Sequence, residues 1–251
     1  MAYKKPTAIK AILAQACLWL ALMGVSWHAA AAQLAGTVMQ LSGPMMAKKA
    51  DGKIKVLAIK SEVEEGDTLM TEKSTYALVK FIDNSEMTLK PGTTFVIEKF
   101  AYQAEQAAGD QASFNLVKGG LRSISGLLGK RSKEKFSLKT PAATIGIRGT
   151  NFVAEMVPPP NAANTANGPD VRPGGLYTAV SEGGIEMVNP AGKATVDAGQ
   201  FGFAPSFVRP PVKLPTDPGM QFTPSPSFNS MTAPQGTEPT KDLNTVDCEV
   251  R

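Results

Sequence analysis

The sequence predicts an all-β protein: a single sandwich-like domain or short β-roll/solenoid, followed by a disordered proline-rich C-terminal tail. Three observations carry that expectation. Apolar residues recur at every second position in short runs, Gly, Pro, Asn and Asp separate the runs, and helical periodicity is nearly absent between Gln33 and Phe207.

Each element follows from its local pattern. Between Thr75 and Lys90, Ala77, Val79 and Phe81 alternate with Tyr76, Leu78 and Lys80 before Asp83-Asn84-Ser85 reverses the chain into Met87-Thr88-Leu89. This predicts two strands and a tight turn, in which Asn84 tolerates a positive φ better than other non-glycine residues. Pro91-Gly92 makes the next reversal, with Phe95 and Ile97 on one face of the following strand and Val96 and Glu98 on the other. Ala101 to Ala108 is a loop or single turn ended by Gly109-Asp110. Lys133 to Lys139 reads as a strand with Glu134, Phe136 and Leu138 facing inward. Ala143, Ile145 and Ile147 share the inner face of another strand entered through Pro141, while Gly146 and Gly149 leave room for a bulge or a second backbone. Residues 157–175, with five prolines, form an inserted loop, and strands resume over Leu176 to Phe203. The domain thus covers residues 33–207, and residues 208–251, rich in Pro, Ser and Thr, form the tail, with a docking peptide around Phe222 to Phe228 as its functional alternative.

Residues 1–32 read as a secretory signal peptide. Lys4, Lys5 and Lys10 precede a mostly apolar run from Ala11 to Val25, and Ala30-Ala31-Ala32 supplies small residues before Gln33. The run is shorter than the ~20 residues a membrane-spanning helix needs. The expected mature chain has 219 residues and no transmembrane anchor, and is periplasmic, secreted or at the cell surface. Three lysines and no acid leave with the signal, so the formal charge falls from +4 to +1, which argues against a nucleic-acid partner. The one histidine, His28, leaves as well. Without histidine the mature chain has neither Ser-His-Asp nor Cys-His catalysis nor histidine-bound zinc or copper. Glycoside hydrolysis by paired carboxylates is the enzyme class that remains, and no pair of acids stands apart for it. No enzyme activity, cofactor or metal is expected. Cys248, left alone when Cys17 departs, either pairs between chains or stays free. Glu62, Glu64, Glu65 and Asp67 form an acidic cluster; a solvated turn is favoured over a calcium site because EF-hand spacing is lacking.

The main electrostatic feature is Lys130, Arg131, Lys133, Lys135 and Lys139, five positive charges within ten residues, interrupted by Glu134. They suit an anionic partner surface, or else the solvent face of a strand whose lysines guard an edge. Arg148, between Gly146 and Gly149, completes the candidate partner surface. Its planar fork suits a carboxylate or phosphate on a partner. The alternative, favoured because charges inside folds are paired, is an internal brace to an Asp or Glu.

Two blocks resemble the FecR domain family. Lys139 to Phe152 reads Lys-Thr-Pro-Ala-Ala-Thr-Ile-Gly-Ile-Arg-Gly-Thr-Asn-Phe, and Gly119 to Gly126 reads Gly-Gly-Leu-Arg-Ser-Ile-Ser-Gly. Gly36-Thr37-Val38 and Glu65 to Leu69 extend the resemblance over Leu34 to Glu155, with Asn84 standing where the family usually has glycine. The family's namesakes regulate iron-uptake genes: an exported part receives a signal from an outer-membrane transporter, and a membrane helix relays it to a cytoplasmic sigma-factor-binding segment. Neither of the latter parts is recognisable in this sequence. The resemblance therefore implies the exported module alone, a non-enzymatic binding or regulatory unit that contacts an envelope protein or anionic polymer. Relay to a separate membrane protein in envelope signal transduction is one version of that role. The alternative is a structural envelope or surface-assembly protein spaced by its tail.

Overall fold

The computed structural model describes residues 33–159, 172–220 and 222; residues 1–32, expected to be a signal peptide, most of the expected inserted loop, Cys248 and most of the expected tail lie outside them. Among the described residues, seventeen strands form two sheets that share one strand. The first sheet runs β4 (Glu62–Glu64), β1 (Leu34–Leu41), β6 (Ala77–Phe81), β7 (Glu86–Leu89), the C-terminal half of β9 (Gln111–Ile124), β12 (Asn151–Val157), β13 (Gly175–Glu182), β16 (Phe201–Ala204) and β17 (Val212–Leu214). The second runs β3 (Ile54–Leu57), β2 (Met45–Lys48), β5 (Thr68–Thr71), β8 (Thr94–Ala101), the N-terminal half of β9, β10 (Phe136–Lys139), β11 (Thr144–Ile147), β14 (Gly184–Asn189) and β15 (Gly192–Asp197). All these ladders are antiparallel except β9 with β10, where Phe136 lies beside Ala112 and Leu138 beside Phe114.

Strand β9 changes sheets at Gly119-Gly120. Gly119 has a φ of +84°, and a Cβ there would stand 2.6 Å from the Thr93 Cα. Only glycine accepts both the left-handed backbone and that approach. The hydroxyl of Thr93 donates to the Gly120 carbonyl at 2.9 Å and accepts the Gly120 N–H at 3.1 Å, which ties the crossing to the start of β8.

Alternation along the strands fills the space between the sheets. Ala77, Val79 and Phe81 of β6, Met87 and Leu89 of β7, and Phe95 and Ile97 of β8 are all buried, as their period of two predicts. Phe114 of β9 is the hub, with ring centroids 5.2 Å from Phe81, 5.4 Å from Phe95, 6.0 Å from Phe100 and 5.7 Å from Phe136. Such offset and edge contacts add to the apolar burial of each ring.

Three local expectations are corrected. Lys133–Lys135 is a 3-10 turn, not part of a strand, so Glu134 faces solvent; β10 begins only at Phe136, and Phe136 and Leu138 face inward as expected. The acidic cluster is not a solvated turn. Buried Asp67 accepts a 2.9 Å bond from Lys49, which also pairs with Glu64 at 2.8 Å, and Lys99 holds Glu65 at 2.6 Å. Burial opposes the charge on Lys49, but the hydrogen bonds it donates to Asp67 and Glu64 outweigh it and raise the ammonium pKa. Finally, β17 pairs with β16 inside the segment expected to be disordered, and Phe222 meets the Tyr76 ring edge to face at 6.1 Å.

Phe114→Ala removes the shared ring and is expected to cost about 3–5 kcal/mol in denaturant unfolding. Gly119→Ala, which strains the crossing without emptying the core, is expected to cost more than about 1 kcal/mol by the same measurement.

Candidate partner-binding surface

Turns far apart in sequence meet at one corner, and they contain the two signature blocks. The Asp83-Asn84-Ser85 turn between β6 and β7 has Asn84 at φ +63°. Its buried Asp83 carboxylate accepts bonds from the Ser85 N–H and hydroxyl at 3.0 and 2.6 Å and from the Leu128 N–H at 3.2 Å. The Asp83 carbonyl takes the Leu127 N–H at 2.8 Å. This residue therefore satisfies the first donors of the short helix α1 (Leu127–Arg131) that follows β9. A Cβ at Gly126 would lie 2.3 Å from the Ser85 nitrogen, which explains the glycine of the Ile-Ser-Gly turn.

The second block carries the chain from β11 in one sheet to β12 in the other. The Arg148 N–H donates to the Gly184 carbonyl at 2.8 Å and to the Thr150 hydroxyl at 3.1 Å, and that hydroxyl in turn donates to Gly184 at 2.6 Å. Ser125 and Thr150 exchange two further bonds: the Thr150 N–H to the Ser125 hydroxyl at 2.9 Å and that hydroxyl to the Thr150 carbonyl at 3.0 Å. Gly149 adopts φ +65°, and a Cβ on Gly146 or Gly149 would meet nothing within 4 Å, so neither is the glycine whose missing side chain makes room for a second backbone. Gly183 does so instead. Its Cβ would stand 2.3 Å from the Gly149 carbonyl oxygen.

With its backbone locked, Arg148 projects an exposed side chain that forms no ion pair among the described residues. The internal brace expected there is not formed among the described residues, because β11 ends before Arg148 and the side chain turns to solvent. Arg131 is the brace. Its Nε and Nη2 donate to the fully buried Asp110 carboxylate at 2.7 and 2.6 Å, Nη1 donates to the Ala104 carbonyl at 2.6 Å, and the guanidinium lies 4.6 Å from the Tyr102 ring centre. Ser132 adds a 2.8 Å bond to Asp110. The Arg131 bonds hold the Asp110 carboxyl below the ordinary carboxylate range, against the burial that would raise it. Lys139 is likewise engaged, with Glu98 at 2.7 Å.

Lys130, Lys133 and Lys135 are exposed and form no ion pair among the described residues. Gly129 packs against Ile147, where a Cβ would meet its Cδ1 at 2.8 Å, so Lys130 and Arg148 follow two touching residues. Of the six candidate cations, four remain available at this corner and two stabilise the fold. Sequence reasoning missed Asp110, Ser125, Thr150 and Gly183. Only the small residues around the signature hinted at such close packing, and Asp110 lies 21 positions from Arg131.

A small cavity beneath the corner, lined in part by Asp83, Ser123, Ser125, Phe114 and Ile147, has room for about one water molecule. It cannot admit an organic substrate. Among the described residues no cluster of three or more acids, cysteines or histidines could hold a metal, and no helix is long and apolar enough to cross a membrane.

Residues 67–186 match the FecR protein family model, so a FecR domain runs from the turn before β5 into β14. The match begins later than Leu34 and reaches past Glu155 into the strands expected over Leu176 to Phe203. Such a domain supports a regulatory or signal-transduction role. Two crystal structures of a provisionally named anti-sigma factor from Parabacteroides distasonis are similar at 12% and 11% identity, each with 60% of this chain and 60% of the solved chain covered and a TM-score of 0.42. This chain thus spans about 60% of their length. A solved cell surface anchoring domain aligns at 19% identity over 25% of this chain and 82% of its own, with a TM-score of 0.24. No curated protein matches.

Asp110→Ala is expected to lower the melting temperature at neutral pH, because it removes the acceptor shared by the Arg131 guanidinium and the Ser132 hydroxyl. A carboxyl held low in the folded state stabilises fully above its unfolded pKa of about 3.9 and loses that contribution as pH falls through the folded value. Thermal melts of Asp110→Ala should therefore show a shallower acid loss below about pH 4 than the unsubstituted protein. Arg148→Ala is expected to leave the melting temperature nearly unchanged.

Proposed function

We propose that this chain is a non-enzymatic, exported regulatory module of the cell envelope that binds an anionic partner protein through the Arg148 corner. The observation that carries the reading is the contrast at the signature. The backbone of Arg148 is held by two hydrogen bonds while its guanidinium is exposed and unpaired among the described residues. A side chain presented from a rigid base loses less freedom on binding a carboxylate than one on a mobile loop. Lys130, Lys133 and Lys135 add positive charge, and the exposed apolar side chains of Ile124 and Leu127 add contact area beside them. The FecR domain supports the regulatory part of the proposal. The exported location rests on the character of residues 1–32, and relay of an envelope signal to a separate membrane protein is the form of regulation most compatible with that location.

The experiment is recovery of cross-linked partners from intact envelopes with the native chain, Arg148→Ala and the double variant Lys133→Glu, Lys135→Glu. The native complex is expected to weaken between low and physiological salt, since exposed charges are screened over about 8–10 Å. Both variants should lose the partner while melting as the native protein does. Unchanged recovery with both variants would remove the corner from the binding surface.

A further inference from the structure

Among the described residues the two sheets end in four edge strands: β4 and β17 in the first, β3 and β15 in the second. Strand β3 differs from the rest. Its Ile54 and Val56 are 66% and 72% exposed, whereas no large apolar side chain of the other three exceeds 45%. The phase of the β2–β3 ladder settles where their backbones point. The Lys49 N–H donates to the Lys53 carbonyl at 2.8 Å, and bonded positions alternate from there along the register Ala47↔Lys55 and Met45↔Leu57. Lys55 and Leu57 therefore turn their backbone groups toward β2, while Ile54 and Val56 turn theirs outward. The free donors and acceptors of this edge belong to the same two residues that expose apolar side chains.

Charge selects among the strands that could be added. Lys53 is engaged by Asp51 at 2.7 Å, but Lys55 is exposed and forms no ion pair among the described residues. A second copy of β3 would set lysine against lysine, and like charges on facing positions oppose pairing. Lysines that merely guarded an edge would not need Ile54 and Val56 between and beside them. We infer that β3 is a docking edge for an extended partner segment in which apolar residues alternate with Asp or Glu. Its apolar side chains lie beside Ile54 and Val56, its carboxylates lie beside Lys53 and Lys55, and its backbone continues the second sheet. This edge lies outside residues 67–186, so it is independent of the Arg148 corner.

The test titrates the full chain calorimetrically with the capped peptide Thr-Val-Asp-Val-Glu-Val-Thr. Saturable binding is expected, weakened at least about tenfold by Lys55→Glu and by Val56→Pro. N-methylation of the peptide's ladder-forming amides should abolish it, and Lys133→Glu with Lys135→Glu should leave it unchanged. Should Val56→Pro fail to fold, Lys55→Glu and the methylated peptide still decide. Three results would overturn the inference: no saturation at millimolar peptide, equal binding of a scrambled peptide or of Lys55→Glu, or a dimer in sedimentation that Val56→Pro dissociates.

Discussion

One fourteen-residue strand belongs to both sheets, and the rest of the fold depends on the place where it crosses between them. The N-terminal half of β9 carries Phe114 into the centre of the aromatic cluster, and its C-terminal half carries Leu121 and Ser123 to the pairing with β7 and β12. Both halves are positioned by the Gly119-Gly120 crossing against Thr93, where a side chain would meet backbone. A strand that serves two sheets cannot shift in one without shifting in the other. Register errors are therefore costly on both faces at once, and the core gains a single arrangement.

The end of β9 leads directly into the corner that contains the family signature. The glycines and hydroxyls there do structural work: Asp83 caps α1, Ser125 and Thr150 exchange bonds, and Gly183 admits the Gly149 carbonyl. The basic residues divide by the same logic. Arg131, with a planar fork and a buried carboxylate beside it, is consumed by the fold, while Arg148 and three lysines form no ion pair among the described residues. Dense internal bonding of the backbone is combined at this corner with outward charge that forms no ion pair among the described residues.

Much of this was legible from residues alone. The alternation of Ala77, Val79 and Phe81, the Asn84 turn and the inward Ile145 and Ile147 all describe local geometry, which depends on near neighbours. The errors share a cause. Lys133 to Lys139 alternates well enough for a strand, but the bonds of Asp83 to Leu127 and Leu128 start a helix just before it, and helical and 3-10 turns follow as far as Lys135. The segment after Phe207 looked too poor in apolar residues to order, yet β16 offers it a free ladder. Neither partner is visible within a local window.

The sequence by itself determined the strand content, the turns and the family to which residues 67–186 belong, because period-two burial and positive-φ positions are properties of adjacent residues. Tertiary structure alone decided which charges are spent and which are available. Asp110 reaches Arg131 and not Arg148, Glu98 takes Lys139, and β3 keeps an open edge, since each outcome depends on which distant strands the ladder brings within a few ångströms.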